Sequence, residues 1–192
     1  MGQMFILYGP SASGKTEIQR ALLEDGDLER IITATSRPPR PGERNGVHYH
    51  FMNRTDFIRL AEQNGFVEYT TYNGEYYGTP RSELAERAAG PTDAVVILEA
   101  NGVRAVKTLF PLQAFAIYIG ADPASLRRRL EARGGSADET ASRLRKALEE
   151  ETAEPYLREA DAAVWNRDGR DLADTVREVR EVIEATRRKA GR

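Results

Sequence analysis

The run Gly9-Pro10-Ser11-Ala12-Ser13-Gly14-Lys15-Thr16 has the residue types and spacing, GxxxxGK(S/T), of a loop that cradles polyphosphate. The amides of Gly9, Ser11, Ala12, Ser13 and Gly14 and the N-terminus of a following helix can face anionic oxygens. Lys15 supplies a point charge, and the Thr16 hydroxyl is suited to bind Mg2+. This chemistry requires a strand entering the loop and a helix leaving it. The apolar run Met4–Tyr8 reads as that strand and residues 17–23 as that helix, so a nucleoside triphosphate site is expected.

A second group of residues suits a different anion. Arg37 and Arg40, stiffened by the intervening prolines, can make bidentate charge-assisted bonds to a phosphate monoester. Tyr49 and Tyr77 can donate hydroxyls to its remaining oxygens. Taken alone, Arg-Pro-Pro-Arg reads equally well as a solvated turn.

The elements that must position these groups follow from periodicity. Strand-like runs at 4–8, 31–34, 94–98, 115–119 and 163–165 alternate with helical stretches, which predicts a mostly parallel sheet covered by helices on both faces. Asp122 and Pro123 open a helix through Leu130, and Asp171 caps a final helix whose Leu172, Val176, Val179 and Ile183 share one face. Between 33 and 79 the pattern changes to short pieces: strands at 47–51, 66–72 and 75–79, with a capped helix at 53–64. This is a small α+β insertion. Residues 133–142, polar and glycine-containing, read as a mobile loop between two helices. The expected division is a core of 1–32, 80–125 and 152–192, an insertion of 33–79 and a lid of 126–151.

Composition narrows the setting. A chain of 192 residues can bury a sizeable core, and the absence of cysteine excludes disulfides, thiol catalysis and zinc-thiolate sites. A net charge of −2 and pI near 5.9 give no basis for nucleic-acid binding. No apolar stretch approaches the roughly 20 residues of a membrane span, and no signal peptide is visible, so a cytoplasmic protein without membrane partners is expected. His48 and His50 alternate with Tyr49 and Phe51 and read as surface residues.

With TSRPPRPGERNGVHYHF at 35–51, FVEY at 66–69, GEYYGT at 74–79 and VWNRD at 164–168, the sequence resembles the guanylate kinases over nearly its whole length. The resemblance implies a P-loop NTPase three-layer α/β fold, an ATP co-substrate with Mg2+, and GMP as acceptor. By the same resemblance, Thr33, Glu68 and Thr79 hold guanine while Arg37, Arg40, Tyr49 and Tyr77 hold its phosphate. Arg129, Arg133 and Arg143 match the arginines around the lid, and Asn166 lies near the ATP adenine. Physical reasoning supports Glu68, because one carboxylate can accept both the ring NH and the exocyclic amine of guanine, whereas adenine offers it a lone pair. No general base is needed, since the attacking phosphate oxygen is already anionic.

One stretch departs from the family. After the strand at 94–98 the chain has only EANGVR at 99–104, two residues shorter than the usual turn and with one acid, Glu99, in place of two. Glu99 is assigned to the acceptor site, reaching a metal through water or holding a lid arginine, while Asn101 keeps hydrogen bonding without the charge. The lid at 133–142 is one residue short. The shortened turn is similar to that of a kinase acting on ribose 1,5-bisphosphate, an acceptor that would not explain Arg37, Arg40 and Glu68 together. A non-catalytic interaction module is the remaining alternative, against which stands the complete phosphate loop.

Overall fold

The computed structural model describes every residue except 73, 133, 135, 136 and 192. The core strands are β1 (Met4–Tyr8), β2 (Glu29–Arg30), β7 (Ala94–Ile97), β8 (Ala114–Gly120) and β9 (Ala162–Trp165), and the insertion contributes β3 (Ala34–Thr35), β4 (His50–Phe51), β5 (Phe66–Tyr72) and β6 (Glu75–Pro80). The helices are α1 (Lys15–Glu24), α2 (Arg54–Glu62), α3 (Arg81–Ala89), α4 (Ala100–Leu109), α5 (Pro123–Ala132), α6 (Ala137–Glu149), α7 (Glu154–Leu157) and α8 (Leu172–Lys189).

The core sheet has the order β2-β7-β1-β8-β9 with every pairing parallel. Its central strand is buried along all five residues, which is why it reads as an unbroken apolar run rather than an alternation. Phe5 and Leu7 pack with Ile18 and Leu22 of α1 and Val179 and Ile183 of α8, whereas Met4, Ile6 and Tyr8 pack with Leu84 of α3 and Val103 and Val106 of α4. Three layers result. The Asp171 side chain accepts from the Ala173 amide at 3.0 Å and so starts α8 as its spacing predicts. Among the described residues no helix is long and apolar enough to cross a membrane.

The second sheet, β4-β3-β6-β5, is mixed and packs on α2. Phe57 of α2 stacks on Phe66 at 4.3 Å and on Tyr76 at 5.2 Å, giving this small unit an aromatic core of its own. Asn53 caps α2 by accepting from the Asp56 amide at 2.8 Å.

Three expectations need correction. The run at 31–34 is not one strand: the chain leaves the core sheet after Arg30 and joins the second sheet at Ala34, so its apolar residues serve two sheets. Of residues 47–51 only His50 and Phe51 form a strand, with Tyr49 held by an isolated bridge to Asn45. Residues 137–142 are helical, being the first turns of α6, and Asp138 and Glu139 suit the positive end of its dipole.

Candidate active site

The phosphate loop joins β1 to α1, and its shape is set by a residue far along the chain. Gly14 has φ of +97°, and a Cβ there would lie 2.5 Å from Nδ2 of Asn166. That same amide donates to the Ser13 carbonyl at 2.9 Å, and Asn166 is nearly buried. Asn166 therefore braces the loop from behind while also lining the cleft above it. Asn166→Asp sets a carboxylate against the Ser13 carbonyl and is expected to raise the KM for ATP about tenfold or more while barely moving that for GMP. Steady-state kinetics with each substrate varied checks this, and an unchanged ATP KM would remove the bracing role.

The first cleft, over the phosphate loop, measures 720 Å³ and is lined by Ser11, Ala12, Gly14, Lys15, Thr16, Arg129 and Asn166, among others. The Lys15 ammonium donates to the carbonyls of Gly9 at 2.8 Å and Pro10 at 2.7 Å, folding back over its own loop. Arg129 of α5 donates to the Asp168 carboxylate at 3.0 Å and lies 3.4 Å from the Ala12 carbonyl, which holds a guanidinium over the loop. The Ser11 amide donates to the Glu151 carboxylate at 2.9 Å. Glu151 is itself held from below, its carbonyl accepting from the buried Tyr118 hydroxyl at 3.0 Å.

A second cleft of 390 Å³ adjoins the first and shares Ser11 and Lys15 with it. Thr33, Tyr49, Glu68, Tyr77 and Glu99 wall it, so the structure brings together five of the predicted acceptor residues. Glu68 and Thr79 are cross-strand partners on β5 and β6, and the buried Thr79 hydroxyl donates to the Glu68 carboxylate at 2.6 Å. Burial pushes the Glu68 carboxyl above its ordinary value; Thr79 opposes this and the nearby Glu99 adds to it. Gly102 makes the packing possible, since a Cβ there would meet Glu68 Cγ and Leu98 Cβ, each at 3.1 Å. The shortened turn after β7 has become a helix start, with Glu99 at the N-cap of α4.

The phosphate arginines stand differently. Arg37 makes a bidentate bond to Glu43 at 2.6 and 2.7 Å and lies 5.2 Å over the Tyr49 ring, one layer behind the cleft wall. Glu43 also accepts from the Arg40 amide at 2.7 Å, and Arg37 holds its carboxyl down to about 2. Arg40 is exposed and lines neither cleft. Arg143 lies on α6 and also lines neither, while Arg133 falls outside the described residues. His50 is half-buried and pairs with Glu83 at 2.7 Å, so only His48, whose ring accepts from the Arg44 amide at 3.0 Å, resembles the expected surface residue.

Sequence reasoning missed Glu43, Glu151 and Lys146. Glu43 had a signal, a carboxylate closing the proline-rich turn that carries both arginines. Glu151 ends a run of three glutamates and Lys146 lies in a polar stretch, so neither stands out locally.

A parallel sheet with a phosphate loop at the carboxyl end of its central strand, and two adjoining clefts meeting at one lysine, define a P-loop phosphotransferase. The guanylate kinase family model matches residues 1–186, and the chain belongs to that family. It is an ATP-dependent nucleoside monophosphate kinase. A guanylate kinase of Thermus thermophilus is 33% identical over 191 residues, covering 100% of this chain and 84% of that protein. One of Prochlorococcus marinus is 37% identical over 174 residues, covering 88% and 91% respectively. A crystal structure of guanylate kinase from Anaplasma phagocytophilum shares the fold, with a TM-score of 0.72 at 23% identity over 96% of this chain and 85% of that one.

Proposed function

We propose that the chain transfers the γ-phosphoryl group of ATP to GMP, and to dGMP, giving ADP and GDP. The observation that carries this reading is the pair of clefts sharing Lys15, with the Glu68 and Thr79 pair in the wall of the second. ATP lies in the donor cleft with its phosphates on the loop amides, and GMP in the second with guanine on Glu68 and Thr79. Tyr49 and Tyr77 take the GMP phosphate, and Arg37, now occupied with Glu43, turns with Arg40 toward it. Glu43 keeps Arg37 ordered until that happens.

Lys15, Arg129, Arg133 and Arg143 then surround the migrating group, compensating its charge away from water. The lid residues 126–151 and the insertion 33–79 close on a core of 1–32, 80–125 and 152–192. Thr16 offers a hard oxygen at the first turn of α1 in the donor cleft and fits Mg2+. An ion held there would supply positive charge to offset that of the nucleotide phosphates. The shared family of the relatives favours GMP over a sugar bisphosphate, and the intact loop favours catalysis over a purely binding module.

A coupled ADP-release assay tests the reading. ADP should form only when GMP or dGMP accompanies ATP, one ADP per GDP, and chelation of divalent cations should stop it. Failure of GMP to stimulate ADP release would contradict the proposal.

A further inference from the structure

The acceptor cleft carries more negative charge than a site for a nucleotide dianion should tolerate. Glu68, Glu99 and Glu151 all line it against the ammonium groups of Lys15 and Lys146, and the phosphate entering it bears up to two charges of the glutamates' sign. Glu68 is accounted for by the base it reads. Glu99 and Glu151 are not.

Both converge on one ammonium group. Lys146, on α6, reaches the two Glu99 oxygens at 3.2 and 3.3 Å and Glu151 at 3.6 Å, and it lines the same cleft. Glu151 in turn holds the Ser11 amide of the phosphate loop at 2.9 Å. One lysine of the lid helix thus ties the start of α4 to the loop shared by both clefts. Partial burial works against its charge, but Glu99, with Glu151 and Glu150, outweighs that and raises its pKa. It is charged at neutral pH.

We propose that Lys146 is a positioning residue of the acceptor cleft, whose ammonium neutralises Glu99 and Glu151 so that the acceptor's phosphate can enter beside the phosphate loop. This inference rests on the reading of that cleft as the GMP site. Without Lys146 the carboxylates of Glu99 and Glu151 lose their direct partner and Lys15 is left to offset both them and the incoming dianion, so the penalty falls on GMP rather than on ATP. The Lys146 side chain is 45% exposed, and the buried Glu151 carboxylate keeps the Ser11 amide as a partner, so removing Lys146 should leave the fold intact.

The test compares wild type, Lys146→Met and Lys146→Arg by GMP titration calorimetry and steady-state kinetics at low and high salt. Lys146→Met should weaken GMP at least about tenfold at low salt, with the ATP KM within about twofold and kcat much less affected than the GMP KM. Added salt should shrink that penalty by screening, and Lys146→Arg should recover most of the affinity. Melting temperatures establish that all three proteins are folded. GMP binding by Lys146→Met within about twofold of wild type at low salt, or equal weakening of both nucleotides, would overturn the inference. If the wild type itself binds no GMP, the assignment of the cleft fails first and this inference with it.

Discussion

Lys15→Ala is expected to lower kcat by at least about a hundredfold, or ~2.7 kcal/mol of transition-state stabilisation. Lys15 alone among the described lysines lines both clefts, so in the proposed reading its ammonium is placed between donor and acceptor phosphates. Before substrate binds it donates to the Gly9 and Pro10 carbonyls. Nucleotide phosphates offer better partners, because a bond between two charged groups is stronger than one to a neutral carbonyl. Those loop contacts can be surrendered locally, so far-ultraviolet circular dichroism should not change. Turnover above about a tenth of wild type, ~1.4 kcal/mol or less, would contradict the role.

Glu68→Gln is expected to cost GMP at least ~2 kcal/mol in kcat/KM, roughly thirtyfold, because the new amide turns a donor toward guanine's donors. The KM for ATP should barely move. The raised pKa of Glu68 adds a sign that can be checked. Folding holds the Glu68 proton more tightly than the unfolded chain does, so stability from this group is present below the unfolded pKa and lost as pH rises through the folded value. At neutral pH the ionised carboxylate therefore costs stability, and Glu68→Gln should melt no lower than wild type. GMP affinity runs the opposite way. Only the carboxylate accepts both guanine donors, so binding weakens as pH falls through the raised pKa. The phosphate of GMP also titrates near pH 6, and comparison with Glu68→Gln isolates the carboxylate's share of the acid limb. An unchanged acid limb in the variant would show that Glu68 does not read the base.

How much of this was legible in the sequence depends on how locally each feature is determined. β1 could be read because burial on both faces demands a continuous apolar run, and α2 and α8 because Asn53 and Asp171 are caps in the right places. The strand boundaries at 31–34 could not, because the chain passes between two sheets there and no local pattern marks the crossing. The first turns of α6 were hidden for another reason. Only Ala147 on it is buried, so its first turns lack the apolar stripe that reveals a helix.

The site divides along the same line. The phosphate loop is contiguous and therefore visible, and Glu68 and Thr79 flank a hairpin that brings them opposite each other. Asn166 and Glu151 act on the loop across 153 and 140 residues of sequence; the resemblance at 164–168 pointed to Asn166 but not to its bracing contact, and nothing local announces Glu151. Arg37 was found by type, but the state it rests in was not, since that depends on Glu43 folding back across the turn.

The central claim is acceptor choice, and the most direct measurement of it is kcat/KM of the wild-type protein with GMP, AMP and ribose 1,5-bisphosphate under one fixed ATP concentration. A carboxylate in the cleft wall that accepts two donors from guanine and meets a lone pair on adenine predicts a preference for GMP over AMP of about a thousandfold or more. Ribose 1,5-bisphosphate, which has no base for Glu68 and Thr79 to hold, should be poorer still. A ratio within about tenfold for either competitor, ~1.4 kcal/mol or less, would contradict the account at its centre.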